Sequence, residues 1–246
     1  MKAEIIDFSS NNNKNFLVGD NENKSFILLD PKGDISFELR NNALLKLAVI
    51  NSSDNKACVK GKIGDNSELV VYYADFAETS NEIKTDINLD GENSSLNWHL
   101  ASLSRGNNKK TYEVSVSHNN VGSRSQIDNY GVCKDEAKLS FSGIVHIHNG
   151  ASSSVAHQNA KIIIFDDDTD AIAKPILKID DNDIEASHAS SVGKISDDEL
   201  FYLTSRGISM EQARELITFG YLKPIISGFD NEEIASRLTS EVEGGF

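Results

Sequence analysis

Histidine offers this chain its most adaptable chemistry. His146 and His148 are two apart, which on a β-strand places both imidazoles on one side, with His157 set to follow one coil further on. Neutral imidazoles gathered in this way could bind a metal ion. The intervening Ile147 shares its face with Val145 and Gly143, however, so the histidine face is the outer, wetter one. Three histidines without acids to orient them form a weak ligand signature, and the set reads as surface residues. His188 differs. It lies on the face of Ile184 and Ala186, where an imidazole is ordinarily a satisfied core or interface group.

The other reactive side chains point to less. Asp166, Asp168 and Asp170 mimic the opening of a calcium loop, but Ala171 stands for the required glycine and Leu177 for the bidentate glutamate, leaving a solvated acidic turn. The cysteines, Cys58 and Cys133, form no C-x-x-C, and two thiolates cannot supply a four-cysteine cluster site. Cys133 reads as a small core residue. Neither G-x-x-x-x-G-K-[ST] nor G-x-G-x-x-G occurs, so any ATP use through such motifs belongs to a partner.

The elements that must position these groups are mostly strands. Short apolar runs recur at Phe26 to Leu29, Ile35 to Leu39, Leu44 to Ile50, Leu69 to Tyr73 and Ile83 to Leu89. Leu96, Trp98 and Leu100 alternate with polar residues, as do Tyr112, Val114 and Val116, which is the period of a strand. Asn and Gly mark the turns between them. Periodicity alone leaves a β-sandwich and a β-solenoid both open, because no clean repeat is visible. Residues 1–24, with Asn11, Asn12 and Asn13, read as a loosely ordered start or an edge strand.

Past about residue 190 the pattern turns helical. Ser196 with Glu199, then Ser209 with Gln212, have the spacing of reciprocal N-terminal caps, and Gly207 can end the first helix in the left-handed region. Arg206 suits that helix's negative end. Ala213, Leu216, Ile217, Gly220 and Tyr221 form one apolar stripe on a second short helix. Asp230 to Glu233 repeats the capping pattern ahead of Ile234, Leu238 and Val242, a third helix, and Gly244 to Phe246 should be loose. The expected units are residues 1–24, 25–190 and 191–246.

With 246 residues the chain can bury one sizeable core plus an appendage. A net charge of −14 argues against nucleic acid or an anionic membrane as the main partner. Two cysteines suit a reducing cytoplasm better than secretion. No apolar run approaches the roughly 18–20 residues of a spanning helix, and no signal segment opens the chain.

The run S-H-x-x-x-V-G-x-I-x-x-x-x-L-F-Y-L-x-S-R-G-I, Ser187 through Ile208, resembles the SufB/SufD scaffold family of iron–sulfur cluster assembly. It is preceded by the strand Lys174 to Ile179 and followed by Ala213 and Arg214, and the likeness extends upstream through Phe141, Gly143 and Val145 to about Asn81. The resemblance implies a mainly β fold: a right-handed parallel β-helix followed by a small helical domain. It also implies that the chain is no enzyme by itself. Its partners would be a SufB-like paralogue at the β-helix, or a second copy where the paralogue is missing, and a SufC ATPase at the C-terminal helices. For the ATPase the residues singled out are Phe201, Tyr202, Arg206, Gly207, Leu216, Tyr221 and Phe229, where exposed.

Within the family the SufD branch fits better. A SufB cysteine is expected a few residues before the proline matching Pro175, yet Asp166 to Lys174 contains none, and Ser187 and Ala189 replace the acids that flank the SufB histidine. His188 occupies the place of the SufD histidine implicated in building the nascent cluster, so iron or a cluster would be held transiently in the complex. Many SufD chains read Cys-Ser-His-Gly where this one reads Ala186-Ser187-His188-Ala189. The N-terminal helical region usual in the family has no counterpart here, so the chain reads as a shortened form. The rival readings are a β-helical polysaccharide-active enzyme, which needs converging carboxylates, and a β-solenoid interaction module without a metal role.

Overall fold

The structure, a computed structural model, describes residues 3–8, 14–229 and 231–244. Asn11, Asn12, Asn13, Asp230, Gly245 and Phe246 lie outside the described residues. The strands are β1 (Glu4–Asp7), β2 (Lys14–Val18), β3 (Asn23–Leu29), β4 (Gly33–Leu39), β5 (Leu44–Asn51), β6 (Asn55–Ile63), β7 (Glu68–Asp75) and β8 (Asn81–Leu89). They continue as β9 (Ser95–Ser104), β10 (Lys109–His118), β11 (Arg124–Cys133), β12 (Lys138–Ile147), β13 (Ser154–Ile164), β14 (Asp170–Ile179) and β15 (Ile184–Lys194). Three helices follow, α1 (Asp197–Thr204), α2 (Met210–Ile226) and α3 (Glu232–Glu243).

Odd-numbered strands pair only with odd, in the order β1-β3-β5-β7-β9-β11-β13-β15, and even with even, from β2 to β14. Every pairing is parallel. This decides between the two open architectures: strands that alternate between two parallel sheets wind into a β-solenoid, each coil contributing one strand to each sheet. Within each strand the period of two sends one set of side chains inward. In β10, Tyr112, Val114 and Val116 are buried while Glu113 and Ser115 are half-exposed. Aromatic rings pack in tilted and edge-on contacts along the interior, Tyr73 lying 6.1 Å from Trp98 and 5.9 Å from Tyr112, and Tyr112 lying 5.7 Å from Phe141. Each large apolar side chain buried there contributes about 1.5–3 kcal/mol relative to exposure.

One corner of the solenoid is built the same way in coil after coil. Asn21, Asn42, Asn66 and Asn93 adopt positive φ of 60°, 55°, 52° and 53°, and Gly122 and Ser153 continue the row. Each donates its amide to a carbonyl of the next coil, from Asn42 to Asp65 at 2.8 Å, for example, and from Asn93 to Val121 at 3.0 Å. Asparagine tolerates the left-handed region better than other side chains, which accounts for the Asn-rich turns. The coil lengthens along the chain: Ser36 meets Asn15, 21 residues earlier, whereas His157 meets Ser187, 30 residues later.

The helices fold back over the outer face of the odd-numbered sheet. Leu222, Ile225, Ile226, Phe229, Leu238 and Val242 close a second core over sheet residues that include Ile27, Ile50, Ala74, Leu103 and Val132, with Phe76 just past β7. Gly228 lets the chain approach closely, because a Cβ there would fall 2.0 Å from the Tyr72 ring.

Several local expectations differ from what the chain does. Ser209 and Gln212 form the reciprocal cap of α2, but Ser196 makes no side-chain cap on α1. Gly207 does turn left-handed, with φ 88°. Arg206 lies past the end of α1, and its guanidinium stacks 4.3 Å from the Tyr202 ring. Asn231 caps α3 by accepting from the Ile234 amide at 3.1 Å. The second helix is not short, since it runs to Ile226 through Pro224. Its buried face is Ala213, Thr218, Leu222, Ile225 and Ile226, so Leu216 and Gly220 of the expected stripe point outward. The stripe ended too soon: Leu222, Ile225 and Ile226, beyond Tyr221, are the α2 residues buried in the core over the sheet. The strand region likewise continues through Lys194, because Val192 and Gly193 still pair with Ile162 and Ile163.

Candidate functional site

The last coil, β14 and β15, has a sheet neighbour on one side only. In each preceding coil the inward row is covered by the next. Here the row from β14 (Ala171, Ala173, Pro175, Leu177, Ile179) and that from β15 (Ala186, His188, Val192) lie over their buried counterparts in β12 and β13, with no further strand beyond among the described residues. Ile179 is therefore 45% exposed and Val192 40% exposed.

His188 sits in the middle of this uncovered end. Its register partner is Gln158, whose side chain is buried and donates to the Ile176 carbonyl at 3.0 Å. The histidine is thus on the apolar row, as the pattern of Ile184 and Ala186 implies, yet it is exposed because no coil follows. Among the described residues its ring nitrogens have no hydrogen-bond partner. An exposed neutral imidazole can accept a proton or donate a lone pair to a metal. One imidazole cannot hold an iron–sulfur cluster, so any cluster bound here needs further ligands from another chain.

The helical residues separate into two groups. Phe201 is 72% exposed, Tyr202 54% and Leu216 51%, and Arg206 and Gly207 are exposed with them. Tyr202, Leu203, Leu216 and Ile217 line an open groove between α1 and α2, rimmed by Asp198 and Glu199. Phe229 is placed otherwise: it is buried, 6.3 Å from the Tyr72 ring, and its side chain holds the helices to the sheet. Tyr221 is half-buried beneath the Lys161 ammonium at 4.4 Å.

The remaining sequence candidates fall in different places. His157 belongs to the other sheet from His146, which His148 follows just past β12, and its Nδ1 lies 2.7 Å from the Ser187 hydroxyl, so the three do not gather. Asp166 accepts the Asp135 amide at 2.7 Å and faces Arg214 at 3.7 Å, which makes it part of a turn. Cys133 is buried, with its thiol pushed up to about 12 by burial first and by nearby acids, Asp170 foremost, after it.

Sequence reasoning passed over a charged group in the interior. Lys110 is fully buried and donates to Asp75, at 2.7 Å, and to the carbonyls of Ala77 and Leu103 at 2.8 and 2.9 Å. The other oxygen of Asp75 accepts from Asn81 at 2.6 Å and from Tyr112. Its signal was present in the inward row of β10, where Lys110 stands two residues before Tyr112.

The match to known proteins runs from β4 into α2. Residues 33–221 match the family model described as the SufBD core domain of SUF system FeS cluster assembly. The chain is 33% identical to the iron–sulfur cluster assembly protein SufD of Bacillus subtilis over 63% of its own length and 36% of that protein's. It is 24% identical to SufD of Escherichia coli over 65% of its length and 39% of the other's. A SufBD family protein of Staphylococcus saprophyticus is 30% identical over 52% of this chain and 28% of its own. The alignments thus span between 28% and 39% of these relatives' lengths.

Proposed function

The chain belongs to the SufB/SufD family of iron–sulfur cluster assembly proteins, and from that membership we propose that it serves as a SufD-like, non-enzymatic scaffold subunit. The observation that carries this reading is the uncovered end coil. Unpaired strand edges and an exposed apolar row are unfavourable in water and call for a partner of the same architecture. A SufB-like paralogue would continue the two sheets from β14 and β15, with a second copy of this chain taking that place when the paralogue is absent. His188 would then lie at the boundary between subunits. There its imidazole serves the nascent cluster, as a nitrogen ligand or proton acceptor, beside cysteine or carboxylate ligands from the partner. A SufC-like ATPase would dock in the groove of Tyr202 and Leu216, supported by the exposure of Phe201. The free thiols of Cys58 and Cys133 suit a reducing cytoplasm.

The test is His188→Ala in the complex co-expressed with a cysteine-bearing paralogue and the ATPase. Size exclusion should show an intact complex, and reconstitution with iron and sulfide should give less cluster absorbance than wild type. Normal cluster content would remove His188 from the chemistry. Loss of the complex itself would make it a packing residue.

A further inference from the structure

We propose that His146, His148 and Asp180 form a binding site for one divalent first-row transition ion on the outer surface of the solenoid, a site separate from His188. His146 ends the outward row of β12, and His148 follows directly, on the same side. Their rings lie 3.7 Å apart between centroids, tilted by 36°. The missing acid comes from the following coil. Asp180 stands 34 residues after His146, just beyond β14, and its Oδ2 lies 2.7 Å from His146 Nε2. One candidate donor atom from each of the three residues lies within 4.8 Å of the other two.

The positions are set by the sheet ladder and not by a free loop. The Asp180 amide donates to the Ile147 carbonyl at 2.9 Å, and the His148 amide to that of His118 at 3.0 Å. Two neighbouring acids are committed to the turn: Asp181 accepts from the amides of Gly150 and Asp183, each at 3.0 Å, and Asp183 accepts from the Ser153 hydroxyl at 3.3 Å. Asp180 is left as the carboxylate that faces the rings, and all three acids make the turn attractive to a cation.

A His–Asp ion pair would account for His146 and Asp180 but not for His148. One donor atom from each imidazole and one from the carboxylate are close enough together to share one cation. Two nitrogens and one carboxylate oxygen suit zinc or ferrous iron, and the exposed side of the site leaves coordination positions open. Calcium and magnesium prefer an all-oxygen shell, which this site does not offer.

The metals alone are the probes. Tag-free, metal-stripped protein should bind cobalt(II) one to one, with a visible d–d band, and zinc(II) should displace it. Ferrous iron, added anaerobically in a parallel arm, should compete at the same stoichiometry. His146→Ala/His148→Ala should abolish the band, and Asp180→Asn should weaken it. His157→Ala should bind as wild type does. Absence of one-to-one binding, a band that survives in the double variant, or equal loss in His157→Ala would each overturn the proposal. Circular dichroism of every variant identifies a change of fold, expected for none because the three side chains lie on the surface.

Discussion

Lys110 and Asp75 meet inside the molecule, Nζ to Oδ1 at 2.7 Å, with both side chains fully shielded from solvent. Burial drives the ammonium pKa down and the carboxylate opposes it, while the carbonyls of Ala77 and Leu103 take the lysine's other two donors and the Asp75 carbonyl lies 3.1 Å away. Burying a charge pair is costly, and removing one member is costlier, since the other is left uncompensated. Lys110→Met should therefore lower the unfolding free energy by about 3–5 kcal/mol in urea titrations. A loss below about 1 kcal/mol, the scale of an exposed pair, would mean that the charges are not held as described.

His118 should make stability depend on pH. It is buried between the hydroxyls of Ser123 and Ser125, each 2.8 Å from a ring nitrogen, and burial lowers its pKa from 6.5 to about 4. The unfolded chain takes up a proton below pH 6.5 that the folded chain refuses until about pH 4. The contribution is thus complete above pH 6.5 and is lost as pH falls toward 4. Between pH 7 and pH 5 the wild type should lose about 2 kcal/mol to this group. His118→Asn should show a correspondingly shallower pH slope, whatever its stability at pH 7. Parallel slopes would refute the assignment.

What the sequence made legible was the strand, not the coil. Leu96, Trp98 and Leu100 alternate cleanly, so their inward direction could be read from the period of two. The stacking could not, because successive coils differ in length and the left-handed corner is filled by Asn, Gly or Ser in turn. The motif around His188 gave its place on the inner row. Its exposure depends on where the solenoid stops, which no local pattern encodes. Asp180 and Asp75 were illegible for one shared reason: each reaches its partner across coils, 34 and 35 residues away, a distance fixed by winding.

The two thiols should react very differently. Cys133 is buried, its Sγ 3.3 Å from the Ala137 carbonyl, and a pKa pushed up to about 12 leaves almost no thiolate. Cys58 is half-exposed on β6. A chromogenic disulfide reagent at pH 8 should titrate one thiol in the native protein, absent in Cys58→Ser, and two only after unfolding. Rapid reaction of two thiols in the native state would place Cys133 at an accessible surface.

The helical residues should separate stability from docking. Phe229 is buried against Tyr72 where Gly228 lets the chain approach, so Phe229→Ala removes core contacts and should cost about 3–5 kcal/mol. Phe201 and Leu216 are largely exposed, and replacing them with alanine removes little that the isolated fold needs. Exposed aromatic and aliphatic side chains beside a groove are the usual anchors of a partner, worth upwards of about 2 kcal/mol once buried in a complex, or roughly thirtyfold in affinity. The Phe201→Ala/Leu216→Ala chain should therefore melt with wild type yet bind the proposed ATPase partner at least that much more weakly by calorimetry. Asp198 and Glu199 at the rim predict that raised salt weakens the wild-type association, because a partner facing them is expected to be basic. Unchanged affinity in the double variant would move the ATPase to another face. A melting temperature that fell with affinity would show that α1 is held by the same residues.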